Sequence, residues 1–358
     1  MNTQTPTLNP LLEKAECLLD PLLINNSIAE MKAQMLADVF VLDGIALLGQ
    51  LTVVYAKPNA GKTLTTIYML KESIKAGRIR GKDVYYINAD DSGNGLIEKG
   101  EIAVQYGFGM LAPGYKGFKS DDLANILRQM TVDGTARGRI IVLDTLKKFT
   151  DLMHKTKASE FMKVAREFTL KGGTMIMLAH ANKNRNGQGK IVAGGTSDIS
   201  DDADCVYLLD EVSKTATTKT VLFDNVKKRG NNVQERSFSY ALSSENYEEL
   251  LQSVQSLDAE TIEKTKTECA ANATRERDAT AIEAIIDGMK QGNHKRTDLV
   301  KFAIDKNNYA IPRQKVLDVL DRYTGEKLSN SCLWRVENCQ TAKLYYILRR
   351  CFNSVDVG

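Results

Sequence analysis

With 358 residues, 48 of them basic and 45 acidic, the chain has a formal net charge of only +3, which excludes a histone-like charge excess and confines any nucleic-acid contact to a local patch. Its length allows a sizeable core plus one smaller domain. The six cysteines (Cys17, Cys205, Cys269, Cys332, Cys339, Cys351) form no C-x-x-C or Cys/His pair, a pattern that suits the reduced thiols of a cytoplasmic protein better than disulfides or zinc.

In chain order, residues 1–38 read as a helical arm: Leu11, Leu12, Leu18, Leu19, Leu22 and Leu23 recur on one face, with Pro10 and Pro21 as breakers. Such an arm needs a surface to pack on, as between the subunits of an oligomer. The N-terminus lacks a charged-then-apolar leader pattern, and the apolar stretch Val39–Leu48 is broken by Asp43 well short of a membrane span, so no membrane partner is expected. Over residues 39–243 strands and helices alternate, the pattern of a mainly parallel sheet covered by helices. Apolar strand runs fall at Leu51–Tyr55, Val84–Ile87, Ile140–Leu143, Thr174–Leu178 and Val206–Leu209, and Phe161, Val164, Ala165 and Phe168 mark a helix over 158–170 that stops at Gly172-Gly173.

The first of these strands runs directly into Ala56-Lys57-Pro58-Asn59-Ala60-Gly61-Lys62-Thr63, followed by a helical pattern from Leu64 to Lys75 that stops at Gly77. This is the pattern of a phosphate-binding loop, in which successive N–H groups cradle a phosphate, a lysine reaches the β- and γ-phosphates and a hydroxyl ligates Mg²⁺. Asn59, Ala60, Gly61, Lys62, Thr63 and Leu64 are the expected nucleotide-binding run. Ala56 stands where G-x-x-x-x-G-K-[ST] has its first glycine, so the backbone there must tolerate a Cβ.

Further along, the strand Ile140–Leu143 ends in Asp144, the expected partner of Thr63 at Mg²⁺. The strand Val84–Ile87 leads through Asn88-Ala89 to Asp90-Asp91. Asp90 is the expected water-orienting base and Asp91 a cap or supporting group, the plainer alternative being that Asp91-Ser92 simply caps the next helix. His180, closing the strand Thr174–Leu178, is placed to sense a γ-phosphate or to be an ordinary interior histidine. The basic, Gly- and Asn-rich loop 184–190 makes Arg185 and Lys190 candidate nucleic-acid contacts, with a solvated turn as the alternative. Lys227 and Arg229 follow the pair of runs Cys205–Leu209 and Lys219–Val226 and in an ATPase ring can reach a neighbouring subunit's γ-phosphate, a solvated strand end being the alternative.

Residues 244–278 turn polar and read as a helical or flexible linker. Residues 279–358 then show helices near 280–290, 296–306 and 312–322 and a hairpin of Leu333–Val336 and Lys343–Leu348, the order of a winged helix. Pro312 starts the third helix, and Arg313, Gln314, Lys315 and Arg322 are its candidate DNA contacts, with Lys327 and Arg335 near the wing. Protein docking is the alternative role.

Taken together, these segments resemble the RecA-like hexameric replicative helicases, nearest the plasmid RepA-type group and more distantly the DnaB-like helicases. The resemblance covers about residues 40–235 and rests on NAGKT at 59–63, NADDS at 88–92, RIIVLDTLKKF at 139–149, LAHANK at 178–183, GGTSDISDDAD at 194–204 and VKKRGN at 226–231. It implies a homohexameric ring with ATP and Mg²⁺ at subunit interfaces, single-stranded DNA in the central channel, and service to a plasmid, phage or other mobile element beside a primase or initiator protein. It implies that Lys62 and Thr63 bind phosphate and Mg²⁺ and that Asp144 is the Walker B acid. Asp90 falls where the family has a catalytic glutamate, and Lys227 and Arg229 fall on a K-x-R finger. The expected fold is α/β: a RecA-like P-loop core with a mainly parallel sheet, plus a small C-terminal winged-helix-like α+β domain. Two other functions stay open: a RecA-like recombination or regulatory ATPase that binds DNA without unwinding it, and a winged-helix DNA-binding protein whose nucleotide site controls assembly.

Overall fold

The computed structural model describes residues 38–187, 189–327, 332–339 and 342–348, together with 19–20, 23–29, 32 and 329. The expected arm over 1–38 lies largely outside the described residues, of which Leu19, Leu23, Ile24 and Ile28 are exposed. Among the described residues no helix is long and apolar enough to cross a membrane.

The fold is mixed α/β around a large, mostly parallel sheet. Its strands are β3 (Leu51–Ala56), β4 (Val84–Asn88), β5 (Gly109–Leu111), β6 (Ile140–Asp144), β7 (Thr174–His180), β8 (Cys205–Lys214), β9 (Thr218–Lys227), β10 (Glu235–Ala241) and β11 (Gln255–Leu257), in the order β11-β10-β9-β8-β3-β7-β6-β4-β5. A short antiparallel pair, β1 (Phe40–Leu42) and β2 (Ala46–Leu47), precedes them. β3 and β6 are buried along their whole length, as β-branched and aliphatic runs are when helices cover both faces of a parallel sheet. The register sets Asn88 beside Asp144, Asp144 beside Leu178 and Ala56 beside His180. The carboxyl ends of β3, β4, β6 and β7 therefore form one row, where ligands gather in such sheets.

Helices α1 (Lys62–Lys75), α2 (Asn94–Tyr106), α3 (Leu123–Val132), α4 (Lys155–Leu170) and α5 (Ser197–Asp202) link these strands. A core of Leu51, Val53, Leu143, Phe161, Phe168 and Met177 joins α4 to the sheet. The chain divides into two compact units, the first holding the residues up to Asp210 with Leu222–Arg236 and Ser243–Val254, the second holding Glu211–Val221, Ser237–Leu242 and the chain from Gln255.

The segment expected as a linker contains α6 (Tyr247–Gln252) and β11, and α7 (Ala259–Lys290) then runs unbroken across the expected boundary at 278/279. Asp258 caps α7 by accepting a hydrogen bond from the Thr261 N–H at 2.7 Å. In its first half only Ile262 is buried, whereas Ala281, Ile282, Ala284, Ile285 and Met289 are buried in its second. The helix is thus continuous but half solvated, which is why that stretch lacks apolar periodicity. With α8 (Arg296–Lys306), α9 (Arg313–Arg322) and the hairpin β12 (Trp334–Cys339) and β13 (Ala342–Ile347), α7 encloses a second core of Ile285, Leu299, Val319, Leu320, Trp334 and Tyr345. The Trp334 indole N–H donates to the Leu320 carbonyl at 2.8 Å.

Because Trp334 is the single tryptophan of the chain, its fluorescence reports on this core. Leu320 is fully buried, so Leu320→Ala is expected to destabilise the transition seen by tryptophan fluorescence in a urea titration by about 2–5 kcal/mol. An unchanged midpoint would show that α9 does not pack as described.

Candidate functional site

The site begins at the end of β3. Ala56 is a fully buried strand residue in register with His180 and Leu209, a backbone state that accepts a Cβ, so alanine fits where the motif has glycine. The left-handed turns fall later, at Asn59 (φ 59°) and Gly61 (φ 86°). Gly61 opens α1 without any side chain capping it, so no side-chain oxygen occupies the amino end of α1.

The two residues after Gly61 meet the end of β6. The Thr63 hydroxyl donates to Asp144 Oδ2 at 2.5 Å, and Lys62 Nζ lies 3.5 Å from Asp144 Oδ1 and 3.6 Å from Asp90 Oδ2. Lys62 and Asp144 are both buried. Asp144 also accepts from the Tyr86 hydroxyl of β4, which reaches Oδ2 at 2.7 Å. Burial first, and then the Asp144 charge, push the Tyr86 pKa well above its ordinary value, so this hydroxyl stays a donor.

Asp144 Oδ1 is buried without a hydrogen-bond partner. A carboxylate oxygen and a neighbouring hydroxyl are the pair of protein oxygens that Mg²⁺ takes when water and phosphate supply the rest. Among the described residues no group of three or more His, Cys, Asp or Glu is placed to cage a metal; Thr63 and Asp144 are the residues that could hold a Mg²⁺ shared with phosphate.

The two adjacent aspartates have different fates. The Asn88 amide oxygen, buried at the end of β4, accepts from the N–H groups of Asp90 (3.3 Å) and Asp91 (3.1 Å). Asp91 Oδ2 in turn accepts from Asn88 Nδ2 at 2.8 Å and from Lys99 Nζ at 2.6 Å. Burial pushes the Asp91 pKa up, but these hydrogen bonds and the charges of Lys99 and Lys62 outweigh it and hold it below the usual carboxylate range. Asp91 is not a helix cap: Gly93 occupies the N-cap of α2, with no side-chain cap bond. Asp90 is left facing Lys62, with a side chain about one-third exposed (35%).

His180 ends β7 with neither ring nitrogen hydrogen-bonded. Burial, reinforced by Lys62 and Lys147 against Asp90 and Asp144, lowers its pKa, so the ring is neutral at pH 7. It also lines an open cavity of about 710 Å³, together with Arg128, Lys147, Lys148, Phe149 and Lys157.

Other expected residues are held within the chain. Lys227 Nζ donates to the carbonyls of Ser200 (2.8 Å) and Asp201 (2.6 Å) in α5. Arg229 is half exposed and lies 3.5 Å from Asp204, a carboxylate that also binds Arg166 and the Leu51 N–H. Arg185 forks onto Asp210 at 2.5 and 2.9 Å, and Lys190 lies 3.5 Å from Asp224, so these expected DNA contacts pin their own loop. In the second unit, Lys315 and Arg322 both bind the fully buried Asp278, and only Arg313 of the expected pair Arg313 and Lys315 remains at a groove.

Sequence reasoning missed Tyr86, Lys99 and Tyr247, whose ring lies 4.8 Å from Lys99 Nζ. A tyrosine inside a buried strand was the available signal, since its hydroxyl needs a partner. Comparison with protein-family models and with curated proteins returns no match.

Tyr86→Phe is expected to cost about 1.5–3 kcal/mol in urea denaturation, the value of a hydrogen bond to a buried charge; a loss below about 0.5 kcal/mol would remove the assigned role. Because the folded Asp91 pKa is lowered, its stabilisation is fully present above the unfolded carboxylate value of about 3.9 and disappears as pH falls through the folded value. The stability gap between the wild-type protein and Asp91→Asn should therefore be flat near neutrality and close below about pH 4. A gap independent of pH would contradict the Asp91–Lys99 pairing.

Proposed function

We propose that this protein is an oligomeric, Mg²⁺-dependent P-loop ATPase with a RecA-like core that acts on single-stranded DNA. The observation that carries this is the convergence of Lys62, Thr63 and Asp144 within 2.5–3.5 Å at the carboxyl ends of parallel strands. Lys62 holds the β- and γ-phosphates, and Thr63 with Asp144 holds Mg²⁺, which when bound neutralises charge on those oxygens. Asp90, 3.6 Å from Lys62, exchanges that ion pair for the attacking water once phosphate occupies the lysine. Arg229, exposed enough to leave Asp204, serves the γ-phosphate of a neighbouring subunit.

Single-stranded DNA is assigned to the cavity beside His180, which is lined by Phe149 and the cations Arg128, Lys147, Lys148 and Lys157, with Asp121, Asp151 and Glu160 also on the lining. Cations for phosphates and an aromatic face for a base are what such a strand needs. Service as a replicative helicase of a mobile element rests on the family resemblance. The three helices and hairpin around Trp334 support a winged-helix reading of the second unit.

ATP hydrolysis measured with and without single-stranded DNA, at matched salt, tests the proposal. DNA should stimulate turnover, Lys62→Ala should abolish it, and Arg229→Ala should bind ATP but lose about 10³-fold or more in rate. Slow turnover indifferent to DNA and to Arg229 would favour a nucleotide-controlled switch instead.

A further inference from the structure

The second unit carries a groove of about 490 Å³ between α8 and α9. Its floor is apolar, with Val300 buried and Ile304 and Leu317 half-buried. Its rim carries Lys301 and Arg313, neither of which has an ion-pair or hydrogen-bond partner among the described residues. At one end Arg296 is held by Asp321 at 2.5 Å, and the one carboxylate on the lining is Asp305. The turn between the helices sets Asn308 (φ 48°) and Tyr309 (φ 61°) in the left-handed region, which costs free energy for residues other than glycine. Tyr309 is left 76% exposed at the mouth.

The charge arrangement argues against a DNA groove here. Asp278 of α7 is fully buried and binds Lys315, Arg322 (2.5 Å) and the Tyr323 hydroxyl (3.1 Å). Lys315 and Arg322 of α9 are thereby committed to Asp278, and the three cations of the helix, Arg313, Lys315 and Arg322, are offset in number by Asp318, Asp321 and Asp278. A helix in balance offers little to an affinity that phosphate neutralisation dominates, and an apolar floor gains nothing from a phosphate backbone.

We propose that this groove docks an acidic amphipathic helix of a partner protein, its apolar stripe on Val300, Ile304 and Leu317 and its carboxylates at Lys301 and Arg313. Helices of 11 and 10 residues give walls about 15 Å long, room for roughly three turns of ligand. The inference is independent of the nucleotide site.

The test uses the full chain and fluorescence anisotropy. The probe is a labelled peptide of about three helical turns, leucine at i, i+3, i+4 and i+7 and glutamate elsewhere. Comparators are the same peptide with lysine for glutamate and a duplex DNA of about two turns. The acidic peptide should bind, the lysine peptide should bind at least about 10-fold more weakly, and Lys301→Glu with Arg313→Glu should weaken the acidic peptide by a similar factor. The thermal transition of Trp334 fluorescence should stay in place, and Tyr309→Ala supplies a second variant that should weaken binding. The proposal is overturned by no binding of the acidic peptide, by equal affinity for the double variant, by duplex DNA binding that the same variant weakens, or by sedimentation showing that the variant instead breaks an association between copies of the chain.

Discussion

A carboxylate at the buried end of β6 is the constraint around which the first unit is organised. Asp144 is 1% exposed, and an isolated charge so removed from water is strongly disfavoured. It is held from different elements: the hydroxyls of Thr63 on α1 and Tyr86 on β4 donate to Oδ2, and Lys62 on α1 faces Oδ1 at ion-pair distance. Those donors reach it because the register puts Asn88, Asp144 and Leu178 level and brings Ala56 beside His180. The parallel sheet thus aligns the strand ends, and the requirement to satisfy one buried charge fixes which side chains meet there.

Asp278 obeys the same physics with a different outcome. Lys315, Arg322 and Tyr323 all hydrogen-bond to it directly, so these cations are committed to holding α9 on α7. Lys62, by contrast, lies 3.5–3.6 Å from two carboxylates at once, an ion-pair spacing rather than a short hydrogen bond. In the proposed ATPase, a multiply charged phosphate in the adjoining loop competes for such a lysine. One buried aspartate locks its cations and the other holds a cation that can be exchanged.

Much of this was legible in the sequence. Mostly apolar runs marked β3, β6 and β7 because strands covered on both faces need few polar residues, and Gly61 marked the start of α1 because few side chains tolerate a left-handed helix start. The ordered pattern near 296–306 and 312–322 survived because those helices each bury one stripe. What escaped was non-local or solvent-determined. Tyr86 and Asp144 are 58 residues apart and Lys315 and Asp278 are 37 apart, and nothing in either local pattern announces its partner. Lys315 looked like a DNA contact because basic residues at the start of a helix read as exposed until their counter-charge is known. The expected helical or flexible linker contains the first half of α7, whose continuity was not legible because an almost wholly solvated helix has no apolar period to read.

The near-neutral net charge gives the remaining cations their meaning. Arg185 and Lys190 are engaged by Asp210 and Asp224, and Arg139 and Arg166 by Asp83 and Asp204, so these basic side chains of the first unit are balanced within it. Lys147 and Lys148 are exposed at the cavity mouth and have no such partner among the described residues. They follow Asp144 by three and four residues, in the turn that leaves β6, and His180 borders both them and the Lys62 site. In the proposed ATPase, a phosphate that draws Lys62 away from Asp144 changes the charge balance at the start of that turn. The cations assigned to a DNA strand sit at its other end. Coupling between nucleotide and polymer then needs no long pathway, because both contacts belong to one short segment anchored by the same buried carboxylate.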